Sequence, residues 1–314
     1  MQNSKIVVMG AGAVGCYFGG MLARAGHDVT LIARPNHVQA IQKDGLWMDC
    51  LSFKESVSVH ATTELAAIAG ANLLLFCVKS PDTQQTIKAM QPHLRSDTMI
   101  LSLQNGVDNC ERIRELIANP VFPAVVYVAT EMQGPGQLKH HGRGELAIGA
   151  WEDNLTKHTE VNEQLNRLAG LFAAAAVPCL VSNDIRRDLW GKFLVNCSYN
   201  AISAIGQIEY GKMAQVQSIK KLIDELAREV VLVAQHEGIH ITEEQAKHAN
   251  DQIITTMATQ RSSTAQDIAR KKTTEIDYLN GLVVRKGQQQ GIPTPANLSV
   301  YALVKMIEQS NVSN

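Results

Sequence analysis

The spacing of apolar positions changes part way along the chain. In the first half, short β-branched or leucine-rich runs alternate with stretches of helical spacing. Examples are Ile6–Val8, "DVTLIA", "NLLLFCVKSPD" and "TMILSLQNGVDN". Beyond "AVPCLVSNDI" the period-2 signal fades and 3.6-residue patterns dominate. They predict helices over about 184–205, 215–237, 242–258, 264–289 and 296–309. Asn183 or Asp184 can cap the first, and "GIPTPAN" breaks the last two. The pattern predicts a sheet-containing domain over 1–183 and a helical domain over 184–314.

The first strand is followed at once by G-x-G-x-x-G at Gly10, Gly12 and Gly15, then a helix, then a second strand. This is one βαβ unit with the fingerprint of dinucleotide binding. Gly10 permits the tight turn, Gly12 lets the backbone approach a pyrophosphate, and Gly15 lets helix and strand pack closely. The helix N-terminus at Ala13 and Val14 offers free N–H groups and a positive dipole end. The expected fold is α/β: an N-terminal Rossmann-type dinucleotide-binding domain followed by an all-helical C-terminal domain.

The end of the second strand bears on the cofactor. An NAD site carries an acidic residue there, but this chain has Ala33-Arg34. An arginine can grip a 2′-phosphate in a forked contact, so NADP(H) is expected; the alternative is a solvated loop arginine. Lys79 and Asn105 stand at the ends of two further strands, where open α/β sheets bind ligands. Residues 121–149 read as β structure with turns at Gly134-Pro135-Gly136 and at His140 to Gly144. Adjacent histidines on a strand face opposite ways, so His140 and His141 do not form a metal pair, and no metal is expected.

In "LWGKFLVNCSYN", Lys192, Asn196 and Asn200 recur every fourth residue and share one stripe of an otherwise apolar helix. Lys192 could snorkel to solvent while the amides bond locally. A continuous polar strip also suits a bound polar ligand. Further on, Ile268, Ile276, Leu279 and Val283 supply an apolar helix face, and Glu275 flanks it. Taken alone, Glu275 is an ordinary solvated glutamate. Ser263 or Thr264 lies near a helix start, where a hydroxyl caps the helix or binds an anion.

Composition narrows the classes. The chain has 314 residues, 45% of them apolar, and a formal net charge of −1. That balance gives no electrostatic reason for a nucleic-acid or membrane partner. Six scattered cysteines without a C-x-x-C pair read as small core residues in a reducing compartment. Ile6–Ala23 is uncharged and approaches membrane-span length, but it holds five glycines and its first apolar run is only Ile6 to Met9. A cytoplasmic protein is expected, monomeric or homodimeric.

Taken together, Asn105-Gly106 after a strand, "LWGKFLVNC" and "TEIDYLNG" resemble the ketopantoate reductase family across essentially the whole chain. The resemblance implies NADPH-dependent reduction of the 2-oxo acid ketopantoate to pantoate, on the route to pantothenate and coenzyme A. It implies Lys192 as catalytic acid and Glu275 holding the substrate hydroxyl beside the cofactor. Asn196 and Asn200 would line the substrate site, and Ser263 would meet the substrate carboxylate. Lys79 and Asn105 would lie at the junction of cofactor and substrate, and Arg34 at the 2′-phosphate. Gln260 departs from the pattern, standing where the family carries asparagine. The rival readings are a related 2-oxo acid reductase and a non-catalytic NADP(H) sensor.

Overall fold

The computed structural model describes residues 4–151 and 158–312. The chain divides into two compact units, Met1–Ile185 and Arg186–Asn314. The α/β architecture followed by helices is the one expected.

Among the described residues the first unit carries ten strands: β1 (Ile6–Met9), β2 (Val29–Ile32), β3 (Leu46–Asp49), β4 (Lys54–Val57), β5 (His60–Thr62), β6 (Leu73–Phe76), β7 (Met99–Ser102), β8 (Val121–Gly134), β9 (Gln137–Ile148) and β10 (Cys179–Val181). Its helices are α1 (Ala13–Arg24), α2 (Pro35–Asp44), α3 (Thr83–Met90), α4 (Asn109–Arg114) and α5 (His158–Ala174). The sheet runs β4-β3-β9-β8-β7-β6-β1-β2-β5, with β10 on β9. From β5 to β8 every neighbour is parallel. Counted in chain order without β3 and β4, those six strands lie 3-2-1-4-5-6, the order of dinucleotide-binding sheets. The crevice where the order reverses is between β1 and β6.

The strands are apolar on both faces because helices cover both. Ile6 and Val8 of β1 join one core with Phe18, Leu31 and Leu75. Val7 points the other way, into a core with Leu74, Phe76, Ile87 and Ile113.

Several local expectations are corrected. Lys79 and Asn105 do not end strands: β6 stops at Phe76 and β7 at Ser102, and loops carry the two residues. The segment from His140 to Gly144 is not a turn. It continues β9 as bulged strand, with register shifts against β8 and Gly142, Arg143 and Gly144 at positive φ. The short strands β3, β4 and β5 were not anticipated.

The second unit holds α6 (Ile185–Gly206), α7 (Tyr210–Met213), α8 (Gln217–His236), α9 (Glu243–Thr256), α10 (Ser263–Ala269), α11 (Asn280–Gln290) and α12 (Pro295–Val312). Its core gathers Tyr199, Ile202, Tyr210, Leu226, Ile268, Ile276 and Val304. The single helix expected over 264–289 is broken. Lys271 adopts φ 52, and the Lys272 N–H bonds back to Asp267 O at 2.9 Å, a Schellman ending. A lysine occupies the left-handed position usually marked by glycine, so the stop is silent in the sequence. A one-turn 3₁₀ segment at Ile276–Tyr278 then leads into α11.

Candidate active site

In the first unit, Met9, Ile32, Phe76 and Ser102 are in register at the carboxyl edge of the sheet. Gly10, Arg34, Lys79 and Asn105 follow those four strand ends within a few residues. One edge therefore gathers the first-unit residues expected to meet a dinucleotide.

The glycines differ in what they permit. Gly10 has φ +96, and a Cβ there would sit 2.9 Å from the Val78 nitrogen. A Cβ on Gly15 would strike the Gly10 carbonyl and lie 2.9 Å from Val8 Cγ1. Around Gly12, by contrast, nothing lies within 4 Å of a Cβ position, and the residue is exposed. Gly12 is the N-cap of α1, with no capping side chain and no acidic residue in the first turn. Ala13, Val14 and Gly15 are thus the first helical N–H groups, and the space beside the Gly12 cap is open. A diphosphate fits that setting.

Arg34 is exposed at the N-cap of α2, where its carbonyl accepts from His37 N and Val38 N. Lys79 is half-buried. The Asn105 carbonyl accepts from Ser80 Oγ at 3.2 Å and Asn109 Nδ2 at 2.7 Å. Gln104 reaches across to Val78 O at 3.0 Å and Thr83 Oγ1 at 2.7 Å. Ser80, Gln104 and Asn109 brace the loops from beneath, and sequence reasoning missed them. Polar residues within a few positions of two strand ends were the available signal.

In the second unit the polar stripe lies along α6. Lys192 and Asn196 are half-buried, whereas Asn200 is 4% exposed. Eight residues of helix span about 12 Å. Asn200 Oδ1 accepts from the Tyr210 hydroxyl at 3.2 Å, which leaves its NH₂ group to meet other acceptors. Ser262 Oγ donates to Asn200 O at 3.0 Å and accepts from Ala265 N at 3.0 Å. The start of α10 is thereby pinned to the end of the stripe. The cap is Ser262, not Ser263 or Thr264. Three consecutive hydroxyl residues made it unreadable from sequence. Ser263 is the first helical residue and is exposed.

Glu275 lies not on a long helix but at the N-cap of the 3₁₀ turn. The chain is clamped on both sides of it. Thr274 N donates to Glu308 Oε1 at 2.7 Å. Asp277 accepts from Tyr301 Oη at 2.6 Å and Lys305 Nζ at 2.9 Å. Burial alone would raise the Asp277 carboxyl, but Tyr301 and Lys305 outweigh it and hold the group below the usual carboxylate range.

His140 is buried and bonds Arg143 O, whereas His141 is exposed and faces Glu131. Among the described residues no three His, Cys, Asp or Glu side chains gather as a metal site. All six cysteines are free thiols, and burial pushes Cys16, Cys110 and Cys179 up to about 12. Among the described residues no helix is long and apolar enough to cross a membrane.

Comparison with known proteins covers both halves of the chain. Residues 6–153 match the model of ketopantoate reductase PanE/ApbA, and 184–308 match that of its C-terminal part. The 2-dehydropantoate 2-reductase of Pyrococcus horikoshii is 33% identical over 308 residues, 97% of each chain. That of Vibrio cholerae is 32% identical, covering 98% of each. The crystal structure of a PanE/ApbA family ketopantoate reductase from Ralstonia eutropha is 49% identical with a TM-score of 0.90, covering 98% of this chain and 99% of that one. D-mandelate dehydrogenase with NADH and anilino(oxo)acetate also superposes at a TM-score of 0.90, with 25% identity and coverage of 98% and 99%. With relatives above 30% identity along nearly its full length and family models on both halves, the chain belongs to the ketopantoate reductase family.

Proposed function

We propose that the protein reduces ketopantoate to pantoate with NADPH, supplying pantothenate and coenzyme A synthesis. The observation that carries this reading is family membership through both halves of the chain. The glycine edge in one half and the lysine–asparagine stripe in the other are what such chemistry needs. A nicotinamide dinucleotide follows from the family, and Arg34 in place of an acidic residue after β2 favours the 2′-phosphorylated form.

Bound nicotinamide supplies the hydride for the keto carbon. The chain's task is to bind, orient and protonate. The α1 N-terminus at Ala13, Val14 and Gly15 holds the diphosphate, and Arg34 the 2′-phosphate. Lys79 and Asn105 stand where cofactor and substrate meet. Negative charge builds on the former keto oxygen. Lys192, as an ammonium, stabilises that charge and donates the proton from Nζ. Such a positioned acid is worth ~10²–10⁴-fold. Asn196 and Asn200 orient the substrate without adding charge. Glu275, clamped by its neighbours, takes the substrate hydroxyl beside the cofactor, and Ser263 meets the carboxylate.

A second reading has two grounds. The 25%-identical neighbour of TM-score 0.90 holds anilino(oxo)acetate, a different 2-oxo acid derivative. Gln260 in place of the family asparagine points the same way, towards a relative with another substrate. The deciding assay follows NADPH oxidation with ketopantoate beside 2-oxoisovalerate, and with NADH in place of NADPH. Turnover on ketopantoate with NADPH, falling ~10²–10⁴-fold in Lys192→Ala, is expected. Faster turnover on 2-oxoisovalerate moves the assignment to the second reading. Tight NADPH binding without turnover on either acid refutes both tested activities.

A further inference from the structure

Two loops leave the sheet side by side, one after β6 and one after β7. They carry Lys79 and Asn105. Beneath them lies a closed ring of hydrogen bonds built on two buried side chains. Asn109, 4% exposed, donates through Nδ2 to Asn105 O at 2.7 Å and to Ser80 Oγ at 3.3 Å. Ser80, with no exposure, donates its hydroxyl to the same Asn105 oxygen at 3.2 Å. Arg112 tightens the ring from α4, donating to Ser80 O at 3.0 Å and Asn109 Oδ1 at 3.3 Å.

Two donors converging on one carbonyl oxygen fix a peptide plane. The peptide is trans, so its N–H points opposite to its C=O. Anchoring the Asn105 oxygen on the buried side therefore turns the Gly106 N–H away from the anchor. Gly106 is half-exposed, and its N–H meets no acceptor among the described residues. Its φ of 107° is one that side-chain-bearing residues rarely adopt. An unpartnered donor held in a demanding conformation, one residue past Asn105, is a built feature of the carboxyl edge.

We propose that Asn109, together with Ser80, is a positioning residue that presents the Gly106 backbone N–H as an additional hydrogen-bond donor to an oxygen of the bound 2-oxo acid. This rests on the 2-oxo acid reductase reading above. The side chain of Asn109 itself faces inward, with both its donors committed to the ring. Its effect reaches the ligand only through the peptide plane.

The test compares the parent with Asn109→Leu, which keeps the approximate volume and loses both donors. Steady-state kinetics on ketopantoate are combined with the dinucleotide Kd from NADPH fluorescence. Amide hydrogen exchange at Gly106 is measured with NADPH alone and with NADPH plus pantoate. The parent is expected to protect the Gly106 amide when pantoate is added. Asn109→Leu is expected to lose that protection and to raise KM for the acid about tenfold, with NADPH Kd within about twofold. Should Asn109→Leu fold poorly, Ser80→Ala removes one of the two donors by deleting a single oxygen. It is expected to raise KM about threefold. A parent that turns over ketopantoate without protecting Gly106, or a variant matching its KM, overturns the proposal and leaves the activity standing. A parent that neither binds nor reduces the acid removes the activity, and this inference with it.

Discussion

Glu229 offers the sharpest test of what holds the helical unit together. It lies on α8 with no exposure at all, yet its carboxyl serves another helix. Oε1 accepts from Ala296 N at 2.8 Å, and Oε2 accepts from Asn297 N at 2.9 Å and Asn297 Nδ2 at 2.8 Å. The two backbone N–H groups are first-turn donors of α12, which that helix cannot satisfy by itself. The network continues through Asn297 Oδ1 to Asn280 Nδ2 at 2.8 Å and on to Cys197 O at 2.9 Å, next to Asn196 of the stripe. In Glu229→Gln one oxygen becomes an NH₂ group. The best orientation keeps both Asn297 bonds and turns that NH₂ towards the Ala296 N–H. One buried donor left unpaired costs about 1–3 kcal/mol. Losing the negative charge at a helix N-terminus costs about 0.3–2 kcal/mol more. The sum is about 3 kcal/mol, a melting shift on the order of 10 °C for a unit of this size. Trp190, 4% exposed on α6, reports unfolding of this unit by fluorescence once Trp47 and Trp151 are replaced by Phe. A loss below about 1 kcal/mol would refute the reasoning, since it falls short of one unmade buried hydrogen bond. Adding Asn297→Ala should cost less in the Glu229→Gln background than alone, because the two share a network.

The glycine turn predicts a contrast between two otherwise similar substitutions. Gly12→Ala meets no atom of the protein, so its melting temperature should stay within about 1–2 °C while NADPH affinity falls, the methyl occupying the diphosphate approach. Gly15→Ala drives a methyl into the Gly10 carbonyl and should cost about 1–3 kcal/mol of stability, read by urea denaturation. Equal stability losses in the pair would contradict the packing argument. Asp277 predicts a pH effect. Its carboxyl is held below its ordinary value, so its contribution is complete above the unfolded value and fades as pH falls through the lower folded one. Asp277→Asn should lower stability at neutral pH and flatten the acid limb below about pH 4, seen in urea midpoints across that range. Curves that stay parallel would rule the tie out as a contributor.

Legibility in the sequence followed the range of the interactions concerned. The β1–Gly10–α1 unit and the α6 stripe were readable because strand, turn and helix spacing are written within one stretch of chain. The break after α10 was not, because Lys271 takes a left-handed conformation that lysine does not advertise. Ser262 could not be chosen over its hydroxyl neighbours until its oxygen was seen bonded to the Asn200 carbonyl, 62 residues away. The clamps beside Glu275, on Thr274 by Glu308 and on Asp277 by Tyr301 and Lys305, and the Ser80–Asn109 ring span 24 to 34 residues, still far beyond any local period.

The amino-acid sequence by itself determined the α/β-then-helical order, the glycine edge and the residue types on offer for the proposed binding and proton transfer, since these depend on local period and side-chain chemistry. Tertiary structure alone decided which carbonyls and amides are spent on holding loops and which remain free, because a buried polar group's partner comes from wherever packing delivers it. Gly106 shows the division. Its place after Asn105 is plain in the chain, but the direction of its N–H follows from two buried side chains on other segments.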